Sequence, residues 1–320
     1  MKTIKFGPIN ELRKETHNVE DYKIIDYEFN NAKLKLYKDF NLVIFTNLDC
    51  NGNCVFCMNK YNKKFKSCSI LAKDEYLKKI EDLLIKLKEL NPTVSIGGGE
   101  STKSDLLVPI LRLLKKHNYR CRTFSTNGTG LLDKYEDKLI IAHLDENDFK
   151  NINLSIAHFD ESKNNRIMSF KSDPITTRDV KQIANFAKAN GMYLRASCVL
   201  VKNGVDNLTK AIEYFKYYLS LGIDNSLFRE QVKINGKKIG DIFVDIDSLT
   251  NELKNNKNFS FIRKMEGLYY DVDVYKFSLD NEMHLVKVYD EKEISKDIVK
   301  DIIIYPDGDI VYNFTFEGGE

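Results

Sequence analysis

The sequence predicts an α/β protein: a partial (β/α)6 barrel of parallel strands with outer helices, plus a small β-rich C-terminal extension. Three observations predict this fold class. Six short strand-like segments alternate with helical patterns, which is typical of βα units and a parallel sheet. Some of these strands have one polar face, and the alternation stops beyond about residue 235. We therefore expect a lead-in over residues 1–40, a core over 41–235 and an extension over 236–320.

The predicted strands and helices follow one another in a regular order. The first strong strand is NLVIFTN (Asn41–Asn47), and a cysteine-containing loop follows it. Apolar residues at helical spacing between Leu71 and Leu90 predict the first helix. The later strands are TVSI, YRCRTFSTN, NINLSI, YLRASCVLV and NSLFREQV, and the helices between them cover Leu106–His117, a segment from about Leu131, Thr176–Asn190 and Leu208–Leu221. Gly191 and Gly222 end the last two of these helices.

Two strands alternate between polar and apolar residues. In NINLSI the polar positions are Asn151, Asn153 and Ser155, and in YLRAS they include Tyr193 and Arg195. Successive residues of a strand point to opposite faces, and a parallel strand with helices on both faces is apolar on both. We therefore expect a curved sheet with helices outside and a polar lumen that holds a ligand. The alternative is a few satisfied polar residues at strand ends.

Beyond about residue 235 the sequence predicts strands without intervening helices. DVDVYKFSL, HLVKVYD and DIIIYPDGDIVYNF are strand-like, and YPDGD between apolar runs is typical of a hairpin turn. We expect this extension to cover one end of the core.

Composition and charge exclude several classes of function. The net charge of +2 and the pI of about 8.0 give no electrostatic reason for bulk binding to nucleic acid or to a membrane. No stretch approaches about 18 consecutive apolar residues, which a membrane span would need. The N-terminus has no apolar signal core, so we expect a cytoplasmic protein. In the reducing cytosol, clustered cysteines indicate metal ligands or catalysts before disulfides.

Three of the six cysteines lie in one short loop, TNLDCNGNCVFCMNKYN. They are Cys50, Cys54 and Cys57, at gaps of four and three residues. A closed zinc site needs four ligands, and Cys68 could be the fourth, although structural zinc sites usually pair their cysteines twice. A [4Fe–4S] cube takes one thiolate at each iron, so three thiolates would leave one iron open. Zinc, or a plain cluster completed by Cys68, remains the alternative.

The motifs of this chain resemble those of the radical S-adenosylmethionine (SAM) superfamily. C-x3-C-x2-C after the first strand, with Phe56 before the last cysteine, is similar to the family's cluster-binding loop. IGGGE (Ile96–Glu100) is similar to its GGE motif, STNG (Ser125–Gly128) is a frequent companion, and NLSI ends the fourth strand. Each motif lies at a predicted strand end, where α/β proteins bind ligands. The resemblance covers roughly residues 41–235.

The resemblance implies two cofactors, one [4Fe–4S] cluster and SAM. Cys50, Cys54 and Cys57 would hold the cluster, and its open iron would chelate the amino and carboxylate groups of SAM. The other expected SAM contacts are the backbone at Phe56 and around Phe228 beside the adenine, Ser155 at the ribose, and Ser125 in the companion motif.

The remaining SAM contacts concern charge and close approach. Glu100 would accept a hydrogen bond from the SAM ammonium. Gly98 and Gly99 would line that site, because glycine lets the backbone approach closely. Arg195, inward on the fifth strand, would pair with the SAM carboxylate or with the substrate.

The implied reaction is reductive cleavage of SAM to methionine and a 5′-deoxyadenosyl radical, which abstracts a hydrogen atom from the substrate. The cofactors carry this chemistry, and the protein positions them and excludes water. A catalytic side chain is not identified. Cys198 is a candidate hydrogen donor, but it alternates with Ser197 onto the apolar face, which favours packing. Cys121 is interpreted as structural, and His158 as a polar loop residue.

Within the superfamily, the chain is most similar to the branch of the molybdenum-cofactor GTP cyclase and the peptide-modifying maturases. CMNK after the triplet and the layout of six units carry this likeness. Many of those proteins hold auxiliary clusters on C-terminal cysteines, but no cysteine follows Cys198 here, and Asn313 and its neighbours supply no thiol. We therefore expect a single cluster and redox-neutral outcomes, such as epimerisation or rearrangement, or coupled reductions.

Three hypotheses about function follow. The first is radical SAM modification of a peptide, for example by epimerisation or cross-linking, with flavodoxin or ferredoxin as the reductant. The second is the same chemistry on a nucleotide or another small metabolite. The third is a non-catalytic iron–sulfur or zinc protein. We expect no separate leader-binding domain before residue 41.

Overall fold

One large sheet with helices on its outer side forms the centre of the protein. The computed structural model describes residues 24–119, 122–234, 237–266, 270–278, 281–288 and 298–316. The strands in chain order are β1 (Ile24–Phe29), β2 (Ala32–Phe45), β3 (Thr93–Gly97), β4 (Arg122–Thr126), β5 (Lys134–Tyr135), β6 (Lys138–Leu139), β7 (Asn151–Ser155), β8 (Tyr193–Val199), β9 (Asn225–Arg229), β10 (Ser260–Glu266), β11 (Tyr270–Ser278), β12 (Asn281–Val288), β13 (Ile298–Ile304) and β14 (Ile310–Tyr312). The α-helices are α1 (Lys63–Ser67), α2 (Lys73–Lys86), α3 (Leu107–Lys116), α4 (Ile140–Glu146), α5 (Glu161–Met168), α6 (Thr177–Ala189), α7 (Leu208–Ser220) and α8 (Ile246–Lys254).

Six parallel strands, β2, β3, β4, β7, β8 and β9, lie side by side in chain order. A helix lies between each consecutive pair along the chain. This arrangement is the predicted partial (β/α)6 barrel, and it places the carboxyl ends of all six strands at one edge. Ligands of parallel α/β sheets bind at that edge.

The β-rich extension joins both edges of this sheet. On one side β12 pairs in parallel with β9, and β11 and β10 continue the sheet as antiparallel strands. On the other side β13 pairs in parallel with β2 and returns through the predicted YPDGD turn into β14. The expectation that the extension covers one end of the core stays a prediction. β10 to β14 share a sheet with the core, and the predicted division at residue 235 stays a prediction.

The two faces of the central strands differ in polarity. In β8, Leu194, Ala196 and Cys198 are buried in the core shared with the outer helices, whereas Tyr193 and Arg195 on the opposite face are half-buried. The polar face lies on the side away from the helices, as the alternation predicts. None of the described helices combines the length and the apolar character that crossing a membrane would require.

Candidate active site

The cysteine loop leaves the carboxyl end of β2 and is tied to the end of α5 by backbone hydrogen bonds. Asn53 N donates to Met168 O at 3.0 Å, and Val55 N donates to Ile167 O at 3.1 Å. In the opposite direction, Lys171 N donates to the carbonyl of residue 51 at 2.7 Å. The segment that holds the cysteines therefore runs beside a second chain segment that fixes its backbone.

The side chain of Met168 also contacts one of the three thiols. Its side chain is 2% exposed, and its Sδ lies 3.6 Å from Cys54 Sγ. Gly52 N donates to Cys50 Sγ at 3.4 Å, and a Cβ at Gly52 would lie 3.2 Å from Met168 O. A small residue between the first two cysteines therefore lets the loop fold tightly against the end of α5.

The GGGE segment after β3 packs against the cysteine loop rather than leaving an open groove. Gly99 N donates to Asn47 O at 3.2 Å, and Asn59 Nδ2 donates to Gly98 O at 2.8 Å. A Cβ at Gly99 would lie 1.7 Å from Asp49 O, and Gly98 has a φ of +131°. The close approach that these glycines permit is thus, in the first place, an approach to the cysteine loop. Their predicted lining of the SAM site stays a prediction.

The Glu100 carboxylate is 3% exposed and already accepts four hydrogen bonds from its own chain. Oε1 accepts from Thr102 N at 3.1 Å and from the hydroxyls of Thr102 and Thr126 at 2.6 Å each. Oε2 accepts from Asn127 N at 2.8 Å. Glu100 therefore joins the ends of β3 and β4 within the candidate site. Its contact with the SAM ammonium stays a prediction, for which Oε2 is the less occupied atom.

Side chains on the inner wall form a row across three neighbouring strands. Ser125, Asn153 and Arg195 are register partners on β4, β7 and β8. Asn153 Nδ2 donates to Ser125 Oγ at 3.3 Å, and Asn153 Oδ1 accepts from Arg195 Nε at 3.0 Å and Nη2 at 2.8 Å. Ser155 lies one inward position nearer the carboxyl ends, in register with Ser197.

Asn153 was not among the predicted site residues, although the structure makes it the link between two of them. The signal was present in the sequence, because Asn153 lies on the polar face of NINLSI. Alternation alone gives the face of a residue but not its partner, which depends on strand order and register.

The extension contributes buried charged and polar groups to the same wall. Asn225 of β9 is in register with Arg195 on one side and with Glu282 of β12 on the other. Glu282 is 1% exposed, with Oε2 3.1 Å from His284 Nε2 and 3.9 Å from Arg263 Nη2. Burial lowers the pKa of His284 to about 4 and also lowers the pKa of the Arg195 guanidinium. The imidazole of His284 is therefore neutral near pH 7.

Two predicted residues point away from the lumen. The Phe228 ring is fully buried on the helix side and packs against Tyr214, with ring centroids 5.2 Å apart. Its side chain is therefore not a SAM contact, and only the predicted backbone contact remains. Cys198 is also fully buried on the helix side, with Sγ 3.4 Å from Ala157 O. Cys198 is not part of the site, because alternate strand residues face opposite sides. Phe56, in the cysteine loop, is half-buried.

The three loop thiols influence one another electrostatically. Burial, followed by the neighbouring thiols of Cys57 and Cys50, raises the pKa of Cys54 to about 12. Burial also raises the pKa of Cys50. Only thiolates bind metal, so loading such a site releases protons.

Cys68 lies in a different environment from the triplet. It packs against the apolar group of Phe45 and Tyr305, and its Sγ lies 3.0 Å from Ser69 O. Burial raises its pKa to about 11, and Asp307 and Lys64 are the charges that act on it. The structure therefore does not bring Cys68 together with Cys50, Cys54 and Cys57.

The donor set of the loop fits an iron–sulfur cube better than a single ion. Within the described ranges, no three His, Cys, Asp or Glu side chains converge closely enough to hold one metal ion. A [4Fe–4S] cube needs no such convergence, because each thiolate binds a different iron. Three thiols on one anchored loop, each partly accessible, suit that geometry.

The two other residues noted in the sequence lie outside this site or outside the described residues. His158 is 1% exposed, and its Nδ1 accepts from Asp160 N at 2.9 Å. Burial lowers its pKa, so it is a neutral ring that supports the turn before α5. Cys121 lies outside the described residues.

Fold and site together define an α/β barrel protein that gathers three thiols at the carboxyl end of its parallel sheet. The family model of the radical SAM superfamily matches residues 44–215. The chain belongs to this superfamily of enzymes. No curated protein matches the chain.

Several solved structures are similar in part to this chain. Streptococcus suis SuiB bound to precursor peptide SuiA has a TM-score of 0.48 and 20% identity, covering 62% of this chain and 40% of its own. Native anSMEcpe with bound AdoMet has a TM-score of 0.49 and 20% identity, covering 67% and 58%. A radical SAM methyltransferase from Sphaerobacter thermophilus has a TM-score of 0.47 and 13% identity, covering 72% and 64%. The chain thus spans between 40% and 64% of these proteins.

Proposed function

We propose that this chain cleaves SAM reductively at one [4Fe–4S] cluster held by Cys50, Cys54 and Cys57, and abstracts a hydrogen atom from a peptide substrate. The observation that carries this proposal is the anchored triplet. Three half-buried thiols share one loop, that loop is fixed by the end of α5 and by the GGGE segment, and Cys68 lies elsewhere. When bound, the cluster and SAM supply the reductive cleavage and the hydrogen-atom abstraction.

The residues of the chain position these groups and shield them from water. The cysteine loop holds three ligands in a fixed backbone conformation, and Glu100 locks the strand ends beside it. Ser155 and Arg195 face the lumen and would orient the ribose and an anionic group, respectively. The outer helices close the other side of the sheet with an apolar core, so bound groups are reached through the polar side.

A peptide is the proposed substrate because of the extension. The segment IIIYPDGDIVYNF, which is similar to the hairpin that opens maturase extensions, forms β13 and β14 beside β2. Residues 199–320 contain no cysteine and would hold no auxiliary cluster, so we propose a redox-neutral outcome such as epimerisation, or a coupled reduction. A cytoplasmic flavodoxin or ferredoxin would supply the electron.

Anaerobic reconstitution with iron and sulfide tests the proposal. The brown protein should hold about four irons per chain and release 5′-deoxyadenosine from SAM on reduction. Cys54→Ala should lose both properties, while the matched variant Cys68→Ala keeps both, since Cys68 lies outside the triplet. Zinc in place of iron, or SAM cleavage that survives in Cys54→Ala, would mean a non-catalytic metal protein or a different ligand set.

The polar lumen favours a second candidate, the same chemistry on a nucleotide or another small metabolite. Ser125, Asn153 and Arg195 give the inner wall hydrogen-bonding groups that suit a small polar ligand as well as a peptide. Transfer of deuterium from the substrate to 5′-deoxyadenosine separates the two candidates. Deuterium delivered from an added deuterated peptide supports the first, whereas delivery only from a deuterated cell-extract metabolite supports the second.

A further inference from the structure

Only some of the N–H groups of the Arg195 guanidinium donate hydrogen bonds within the protein. Its Nε and Nη2 groups donate to one acceptor, Asn153 Oδ1. Among the described residues, no carboxylate oxygen lies within 4.0 Å of it, and its Nη1 group donates no hydrogen bond. Solvent reaches the Nη1 group, so an anion that enters the lumen can bind this guanidinium without displacing a protein partner.

The guanidinium is also held in one orientation. Two of its groups share the Asn153 oxygen at 3.0 and 2.8 Å, and the Asn153 amide is itself fixed by donating to Ser125 at 3.3 Å. An arginine oriented in advance loses less side-chain entropy when it binds a carboxylate through two parallel hydrogen bonds. Asn153 is therefore a positioning residue for Arg195.

Glu282, a buried carboxylate on the same wall, lies beside other residues. Glu282 raises the pKa of Arg195 only as a distant charge. Its own Oε2 lies 3.1 Å from His284 Nε2 and 3.9 Å from Arg263 Nη2. Glu282 is also 1% exposed, so it cannot turn into the lumen to serve Arg195 without leaving a buried site.

The position of Arg195 favours the substrate over SAM as its ligand. The cysteine loop and Glu100 follow β2 and β3, whereas Arg195 is on β8, and β4 and β7 lie between. Three strand spacings correspond to about 14 Å along the sheet. Arg195 also lies one inward position farther from the carboxyl ends than Ser155 and Ser197. Along the sheet, Arg195 is therefore separated by two strands from the segment that carries Glu100, where the amino-acid part of SAM is expected.

We propose that Arg195, positioned by Asn153, binds a carboxylate group of the substrate in the lumen. This inference rests on the proposed function and narrows its substrate class. The ligand is a molecule with a free carboxylate, either a peptide with an acidic side chain or terminus, or a free organic acid.

Anion protection of the reconstituted holoenzyme with SAM tests this site without turnover. Phenylglyoxal modification of Arg195 is followed by peptide mass spectrometry in chloride, acetate or inorganic phosphate at equal ionic strength. Acetate should slow the modification of Arg195, while the exposed Arg178 serves as the control in the same sample. Protection by phosphate but not by acetate would reassign the site to a phosphorylated ligand and overturn the carboxylate. Absence of protection, or of any reaction at Arg195, would also overturn it.

Two variants separate the positioning role of Asn153 from the binding role of Arg195. Asn153→Ala should remove the acetate protection although Arg195 is retained, because the guanidinium is no longer oriented. Ser197→Ala, which changes another inward side chain of β8, should keep it. Acetate protection that persists in Asn153→Ala would contradict the positioning role.

Binding of SAM decides between the two ligands of Arg195. In Arg195→Gln and in Arg195→Lys, which keeps the charge if the first variant folds poorly, the Kd for SAM should stay within about twofold of the parent. A group that paired with the SAM carboxylate would raise it about tenfold or more. If acetate does not protect Arg195 while SAM is still cleaved, only the substrate assignment is refuted. If the protein does not cleave SAM, the proposed function is refuted, and the acetate protection of Arg195 can still be measured.

A peptide series then separates the sources of the carboxylate. Acidic peptides, their amidated counterparts and free dicarboxylic acids are compared as protecting agents at equal concentration. Protection by the acidic peptide and not by its amide supports the peptide source. Protection by the free acids alone assigns the site to a small metabolite and contradicts the peptide.

Discussion

The cysteine loop and the GGGE segment, here called the cofactor end, are held by a different kind of contact from the inner wall formed by β4, β7 and β8. At the cofactor end, backbone groups of the cysteine loop bind backbone groups of two other segments, as in the pairs Gly99–Asn47 and Val55–Ile167. On the inner wall, side chains bind side chains across strands, as in Asn153–Arg195. Backbone hydrogen bonds fix the shape of the loop and do not depend on side-chain identity, except where a glycine is needed for close approach. Side-chain contacts can be changed one strand at a time, so substrate choice can vary while cofactor binding stays the same.

The largest expected effect is at the backbone contact between the GGGE segment and the cysteine loop. Gly99→Ala would place a Cβ 1.7 Å from Asp49 O and 2.9 Å from Cys50 N, so the two segments must separate. We expect a loss of more than about 4 kcal/mol in the free energy of unfolding, or no soluble protein. Gly191→Ala is the matched control, since nothing lies within 4 Å of its Cβ and only its φ of +64° opposes the change. That control should lower the free energy of unfolding, measured in urea, by about 1 kcal/mol. Equal losses in the two variants would contradict the predicted clash at Gly99.

Removing the contact between Met168 and Cys54 should have the next largest effect. Met168→Ala leaves a cavity beside the thiol and should cost about 3 kcal/mol in the free energy of unfolding. It should also speed alkylation of Cys54 by iodoacetamide in the metal-free protein. Met168→Leu fills the same space and should cost less than about 1.5 kcal/mol. If alkylation of Cys54 is unchanged in the alanine variant, Met168 does not shield the thiol.

On the inner wall, stability should depend on pH through His284. Its folded-state pKa of about 4 is below the unfolded value of about 6.5, so the unfolded chain binds more protons between these values. The stabilisation is complete above about pH 6.5 and is lost as the pH falls towards 4, by roughly 3 kcal/mol at most. Urea unfolding between pH 4 and 7 measures this slope. His284→Gln should flatten it, and an equally steep slope in that variant would assign the effect to other groups, including His158, whose pKa burial also lowers.

The smallest expected effect concerns Glu100, at the cofactor end. Glu100→Gln puts an amide where the carboxylate accepts from Thr102, Thr126 and Asn127, so one buried donor must face another donor. A loss of about 2 kcal/mol in the free energy of unfolding is expected. Glu136→Gln, at the exposed pair with Arg112, is the control and should change stability little. Similar results for the two variants would show that the Glu100 network contributes no more than a surface ion pair.

The sequence by itself determined the order of the six βα units, the spacing of the three thiols and the polar face of the inner strands. These features depend on neighbouring residues, because the periods of strand and helix bring residues two to four positions apart onto one face. The same alternation correctly favoured packing for Cys198, which is buried on the helix side.

Only the tertiary structure decided which distant residues meet. Met168 and Cys54 are 114 positions apart, and Arg195 and Asn153 are 42 apart. The extension lies at both edges of the sheet because β12 and β13 pair with β9 and β2, a choice that no local pattern contains. Strand order and register fix such contacts, and a pairing shifted by one residue would turn each side chain to the opposite face. The residues of the site could therefore be predicted as a set, whereas their partners could not.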